Sequence, residues 1–362
     1  MSSIENAELA APVLYDDPWQ YYDAMLKDIA SARKSVFIET YKFGNDNIGE
    51  RFRVLLARKA QEGVKVKLLI DSWGAQVSQS FFRKLTAYGG EVRFFMKIKF
   101  FWDFFTKNHR RNHRKIILID DHISYLGSAN ISGHSLNWCE SVLRMEDKVL
   151  NKKLTAIFKE DYRLYNRYVF NKPALTRLIT SGEYEILRDI PSITRQVIKK
   201  RYERMIRNAN QRIIIETPYF LPGFLLRKAL SDAAKRGVDV TVITPKHSDV
   251  HMVDVVRSRY LGMLHKNGIN FRFYLPGNLH AKLMLFDNET FAIGSPNFDY
   301  RSFRYQHEII LVGSDKRIIS QLKDHIGNCL ANSSTFDYED WQQRPFLQRF
   351  MEWIFLPFRH LL

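Results

Sequence analysis

Cysteine is nearly absent: Cys139 and Cys329 are the only two in 362 residues. That excludes a disulfide framework and fits a reducing compartment. No apolar run reaches the roughly 18 residues that a spanning helix needs, so none is expected. The opening MSSIENAELAAPVLYDD has neither a basic nor an apolar leader region, so no signal peptide is expected. Any membrane contact is then expected to be peripheral, on the cytoplasmic side. There is no Walker-type loop and no dinucleotide fingerprint. Acidic residues are in deficit, 39 against 55 Lys plus Arg, for a formal net charge of +16. The excess favours anionic partners, whether nucleic acid, anionic lipid or a phosphorylated substrate.

What is present is one stretch carried twice. Residues 113–130 read HRKIILIDDHISYLGSAN and residues 280–297 read HAKLMLFDNETFAIGSPN. His113, Lys115, Asp120, Gly127, Ser128 and Asn130 recur as His280, Lys282, Asp287, Gly294, Ser295 and Asn297, each pair 167 residues apart. The flanking elements recur too. Asp17-Pro18 opens a helix over 18–31. A strand at 35–39, a helix at 49–62, a strand at 64–71, a helix at about 79–88 and a strand at 92–96 follow, and two more strands span 113–120 and 122–126. After a charged helix at 147–168 the order returns. A helix at 192–209 has Ser192 as its candidate N-cap. Strands at 212–216, 238–244 and 271–274 alternate with helices at 224–236 and 251–266. The chain is therefore expected to be α/β, two similar halves packed as a pseudo-twofold pair around one shared site. The expected boundaries are 1–168 for the first half, 169–191 for a linker, 192–335 for the second half and 336–362 for an amphipathic tail.

In a strand, positions i and i+2 share a face, so each His points the same way as its Lys. Each half then offers an imidazole, an ammonium, a hydroxyl and a carboxamide. Lys115, Lys282, Asn130 and Asn297 suit the non-bridging oxygens of a phosphate. Gly127 and Gly294 are expected to let backbone approach the ligand. Two imidazoles on opposite sides suit in-line displacement at phosphorus, one as nucleophile and one as acid and base. The intermediate would be a phosphohistidine. Lysine and asparagine supply the charge neutralisation, so the reaction requires no cofactor and no metal. His109 and His113 are four apart but lack the glutamate of a zinc-protease helix. Glu140 and Glu308, ten and eleven residues after the two asparagines, are candidate carboxylates to orient the imidazoles.

The two H-x-K-x4-D stretches resemble the phospholipase D superfamily, and the resemblance runs from about residue 15 to the C-terminus. It is nearest to bacterial cardiolipin synthases, through Glu216-Thr217-Pro218-Tyr219-Phe220, Arg236-Gly237-Val238-Asp239-Val240, Leu279-His280-Ala281-Lys282 and Asn297-Phe298-Asp299-Tyr300-Arg301-Ser302. The resemblance implies a phosphatidyltransferase that makes cardiolipin or a related phospholipid. Hydrolysis to phosphatidic acid is the alternative on the same chemistry, and a phosphodiesterase acting on nucleic acid is the alternative of another class. It implies His113 as nucleophile and His280 as acid/base, or the reverse, with Ser128 and Ser295 adding hydrogen bonds near the phosphate. Its catalytic set is His113, His280, Lys115, Lys282, Asp120, Asp287, Glu140 and Glu308. Asp120 and Asp287 fall at the opposite strand parity from their histidines and read as structural members of that set.

Two segments bear on the partner, expected to be a phospholipid in an anionic membrane surface; no protein partner is expected. Residues 91–115 carry eight Lys/Arg and seven Phe/Trp and run directly into His113. Within them, Phe100, Phe101, Trp102, Phe104 and Phe105 read as an interfacial cluster. Stacking on bases is the competing use. In 346–356, Phe346, Leu347, Phe350, Met351 and Ile354 share one helical face, and Trp353 joins the expected membrane contacts.

Overall fold

The computed structural model describes residues 10–97 and 109–360. Phe100 to Phe105, the expected aromatic cluster, lie outside the described residues. The first half is built on a seven-stranded sheet in the order 13–15, 142–146, 123–127, 116–119, 35–40, 65–71 and 91–95. The last three are parallel, joined by helices, and the rest pair antiparallel. The second sheet repeats the plan: 306–313, 290–294, 283–286, 212–216, 239–245 and 269–274 stand in the order of the last six strands of the first. Ile116–Ile119 is apolar at every position and buried on both faces, as a central strand must be.

The expected linker contains structure. Tyr184–Asp189 pairs with Gln306–Gly313, and Arg177–Ser181 pairs with Tyr184–Asp189. The first of these occupies the place that Val13–Tyr15 takes beside Val142–Glu146 in the first sheet. It is the opening strand of the second half, and its charged, broken spelling hides it. The helix expected at 192–209 begins at Val197; Ser192 instead accepts a hydrogen bond from the amide of Arg195 in the preceding turn. The charged helix spans Lys148–Leu164 and is capped by Asp147. Asp17 caps the first helix by accepting from the amide of Gln20, with Pro18 at the first helical position.

Each sheet packs helices against its outer face. Tyr21, Tyr22, Ile29, Phe52 and Leu56 cover the first, and Ile198, Tyr202, Leu226, Leu230, Val256 and Leu264 cover the second. The inner faces share one apolar cluster with the helices Lys148–Leu164 and Lys316–Ala331, in which Phe158 and Leu322 meet Leu118, Leu285 and Leu311. This shared interior fixes the halves relative to one another, so the two repeated stretches meet at the edge of the seam.

The C-terminal helix Phe346–Phe355 lies on the helix His251–Lys266. It docks through Glu352 and through Phe355, which packs with Leu356 against the apolar core of the second half. Glu352 is buried, bound bidentately by Arg344 at 2.8 and 3.0 Å, and accepts from Ser258 Oγ at 2.8 Å. Phe346 and Trp353 are left 75% and 65% exposed, with Leu347 and Phe350 exposed beside them. Among the described residues no helix is long and apolar enough to cross a membrane.

Candidate active site

His113 and His280 stand just ahead of their strands, not in them: the regular ladders start at Ile116 and Leu283. The extended segments before them are held by the opposite half. Arg111–Asn112 pairs with Gln306–His307, and the amide of His113 donates to His307 O at 3.0 Å. Likewise the amide of His280 donates to Cys139 O at 2.7 Å. Both imidazoles are thus positioned by backbone from the other repeat.

The orienting carboxylates follow the same exchange. Glu308 of the second half places Oε1 3.0 Å from Nδ1 of His113. Glu140 of the first half offers both oxygens to Nδ1 of His280, each at 2.9 Å. With Nδ1 engaged, Nε2 is the ring nitrogen left for the cleft. Tyr41 packs edge-on to His113 and Trp138 lies tilted against His280, with centroids 5.2 and 4.9 Å away. Lys115 and Lys282 are buried, and each Nζ donates to the carbonyl of its own histidine, at 2.6 and 2.7 Å. Both histidines and both asparagines line one cleft of ≈ 280 Å³.

A family model described as cardiolipin synthase, phospholipase D-like domain, matches residues 25–162 and 202–330. The chain belongs to that family.

Cardiolipin synthases of Listeria welshimeri and Oceanobacillus iheyensis are 31% and 30% identical to it. Each alignment covers 94% of this chain, and 73% and 72% of the relative. A phosphatidylserine synthase of Haemophilus influenzae shares the fold, with a TM-score of 0.78, 14% identity and coverage of 98% of this chain and 97% of that one. A polyphosphate kinase of Porphyromonas gingivalis superposes with a TM-score of 0.64 at 13% identity, over 96% of this chain and 53% of its own. The expected two-halved α/β fold and the cardiolipin synthase-like family therefore both stand.

The two repeats of this family member are not chemically equal. Burial tends to raise Glu140, but His280 and Lys282 outweigh it and hold the carboxyl below its ordinary range. Burial pushes Glu308 up to about 8 against the pull of Lys115 and Ser295. Burial, then Lys115 and Lys282, drive His113 well below the usual imidazole range. Burial also lowers His280, but Glu140 opposes it. Burial and mutual repulsion bring Lys115 down to about 7, and burial brings Lys282 to about 8. His113 is thereby held neutral more strongly than His280, whose partner Glu140 is the carboxylate held low.

Four expected residues sit away from the cleft. Asp120 and Asp287 lie beyond the far ends of the strands that follow the histidines. Asp120 accepts from the amides of Arg33, Lys34 and Ser35, and Asp287 from those of Asn210, Gln211 and Arg212. Each has positive φ, 53° and 52°, a conformation Asp tolerates. They clamp the start of the neighbouring strand and touch no reacting group. Ser128 and Ser295, expected at the phosphate, are fully buried behind the glutamates. Ser128 Oγ accepts from the amide of Ser141, and Ser295 Oγ donates to Glu308. Gly127 and Gly294 make room for protein and not for ligand: a Cβ would stand 2.0 Å from Ser141 O and 2.2 Å from Ile309 O.

Other cleft residues carry no repeat signal. Lys42, Trp138, Tyr219, Asp249 and Arg301 line it, and Asp249 accepts from the hydroxyl of Tyr219 at 2.7 Å. Tyr219 and Arg301 belong to runs that resemble the family; Lys42 and Asp249 stand in unpatterned loops, where nothing in the spelling marks them.

Proposed function

We propose that this enzyme transfers a phosphatidyl group between phospholipid alcohols through His113, making cardiolipin or a closely related lipid. The observation that carries the reading is the crossed pair of His–Glu contacts facing one cleft. Nε2 of His113 attacks phosphorus while the bond to the leaving alcohol breaks, and His280 gives that oxygen its proton. The phosphatidyl group is then held on His113. An acceptor hydroxyl passes its proton to His280 as its oxygen attacks phosphorus, and the P–N bond breaks. A neutral, strongly depressed His113 suits attack, and the ionised Glu140 suits a His280 that must carry a proton. Lys115, Lys282, Asn130 and Asn297 hold the non-bridging oxygens. Asn297 Oδ1 is buried without a hydrogen-bond partner, while the side chain is hydrogen-bonded to Asp299.

The enzyme meets its lipid at a membrane surface. The outward apolar side of Phe346–Phe355 supports this, because burial of Phe346, Leu347, Phe350 and Trp353 in the headgroup boundary removes apolar area from water. The net charge of +16 adds attraction to anionic lipid.

The test is incubation of the purified chain with phosphatidylglycerol vesicles and separation of the lipid products. Cardiolipin and free glycerol, lost in both His113→Ala and His280→Ala, is the expected result. Phosphatidic acid alone would make water the acceptor. Cleavage of DNA or RNA with no lipid turnover would overturn the lipid reading.

A further inference from the structure

Behind His280 lies a second cluster of donors that the phosphoryl chemistry does not use. Cys329 and His325 are one turn apart on the helix Lys316–Ala331, and Cys139 comes from the loop that carries Glu140. Cys139 Sγ and Cys329 Sγ are 3.8 Å apart, and Cys329 Sγ is 3.7 Å from His325 Nε2. The ligand atoms of the three residues all lie within 4.8 Å of one another. Glu216, at the end of its strand, reaches the same nitrogen with Oε2 at 2.8 Å. Its other oxygen, Oε1, is buried with no hydrogen-bond partner.

The two distances that involve sulfur match the edges of a coordination tetrahedron, while Glu216 stands at hydrogen-bond distance from His325. Two thiolates about 2.3 Å from one zinc at tetrahedral angles stand roughly 3.8 Å apart, and a thiolate and an imidazole roughly 3.6 Å. The outer partner is present as well. His325 Nδ1 is 2.8 Å from Asp16 Oδ2, the carboxylate–histidine arrangement that fixes the tautomer of a metal-bound imidazole. A protonated His325 would satisfy Asp16 and Glu216 unaided, but it would leave the convergence of two thiols and the orphan Glu216 Oε1 without a reason. A disulfide would account for the sulfurs alone.

We propose that Cys139, His325 and Cys329 form a structural zinc site that pins the two halves together behind His280, with Glu216 turning its carboxylate from His325 to the metal as the fourth ligand. Binding releases the two thiol protons and the Nε2 proton that His325 shares with Glu216, and leaves a closed, four-ligand shell, which suits a structural metal and not a catalytic one. Cys139 and Asp16 belong to the first half, the other three to the second. Cys139 also accepts the amide of His280 through its carbonyl. The metal would therefore stiffen the segment that sets His280 against Glu140.

The experiment is elemental analysis of the full chain purified without chelator, with thiol counting on the same sample. The expected result is one zinc per chain. Both thiols should resist alkylation until a chelator removes the metal. Cobalt added to the stripped protein should give thiolate-to-cobalt absorption. Cys329→Ser and Cys139→Ser should each lose the metal, with circular dichroism to show that the fold remains. The wild-type thiol measurement stands even if a variant fails to fold. Freely alkylated thiols with no zinc bound would overturn the proposal. So would a mass two hydrogens lighter with no cobalt uptake, the mark of a disulfide. Zinc retained in both variants would place the metal elsewhere and overturn it equally.

Discussion

Replacing Glu140 by Gln removes one charge from a buried pair and keeps its shape. Both oxygens lie 2.9 Å from Nδ1 of His280, so the carboxylate faces the ring directly whenever the ring carries a proton. Two unit charges with centres about 4 Å apart attract by roughly 4 kcal/mol at an effective dielectric near 20. The glutamine carbonyl can still accept from Nδ1, which retains about 1 kcal/mol. The net loss of about 3 kcal/mol falls on the protonated form of His280, the form that must supply a proton to the leaving alcohol. That corresponds to roughly a hundredfold loss in kcat. The assay is glycerol release from phosphatidylglycerol vesicles, run beside a phosphodiester with a nitrophenol leaving group. Nitrophenolate departs without a proton, so its initial burst should survive in Glu140→Gln, while later turnover, which needs His280 as base, slows. Glu308→Gln should weaken both, because it acts on the nucleophile. A kcat within about threefold of wild type on the lipid, or an equal loss of the nitrophenolate burst, would refute the assignment.

The lysines set the alkaline limb. With Lys115 near 7 and Lys282 near 8 in the free enzyme, raising the pH through this range removes the cations that hold phosphate, so kcat/KM should fall there. A flat profile up to the ordinary lysine range would contradict it. Asp120→Ala strips the acceptor from three amides and should cost about 2 kcal/mol in denaturant unfolding with kcat per folded molecule unchanged. A large loss of kcat in a stable protein would make Asp120 a catalytic group after all. Phe350→Ser with Trp353→Ser should abolish sedimentation with anionic vesicles yet spare turnover of a soluble short-chain substrate; unaltered sedimentation would remove the helix from the membrane contact.

What could be read in the spelling was whatever repeats within a half. His113 and His280 announce themselves because the same residue types return at a fixed interval, and the strands around them are short apolar runs with helices between. What could not be read is whatever one half does for the other. Glu140 and Glu308 were legible as orienting carboxylates, but which histidine each serves depends on the docking of the two sheets, across 140 and 195 residues of chain. The glycines and serines of the repeat mislead for a related reason. Their place in the motif points to a ligand, whereas tertiary packing places the backbone of Ser141 and Ile309 against them. Tyr184–Asp189 was missed because its charged residues, Arg188 among them, are buried by ion pairs with Glu160 and Asp161 that only the fold supplies.

The exchange of glutamates between the repeats also limits how this molecule can have diverged. A single half has a histidine and a carboxylate that are no use to one another; two identical halves, closed about a twofold axis, would complete both pairs at once. Such a symmetric pair must give its two imidazoles the same environment. Joining the halves in one chain lifts that restriction. Glu308 can be pushed up to about 8 while Glu140 is held down, so the two histidines meet unlike partners, as the proposed split between attack and proton transfer requires. The covalent link between the copies is what permits a division of labour that the repeated motif by itself forbids.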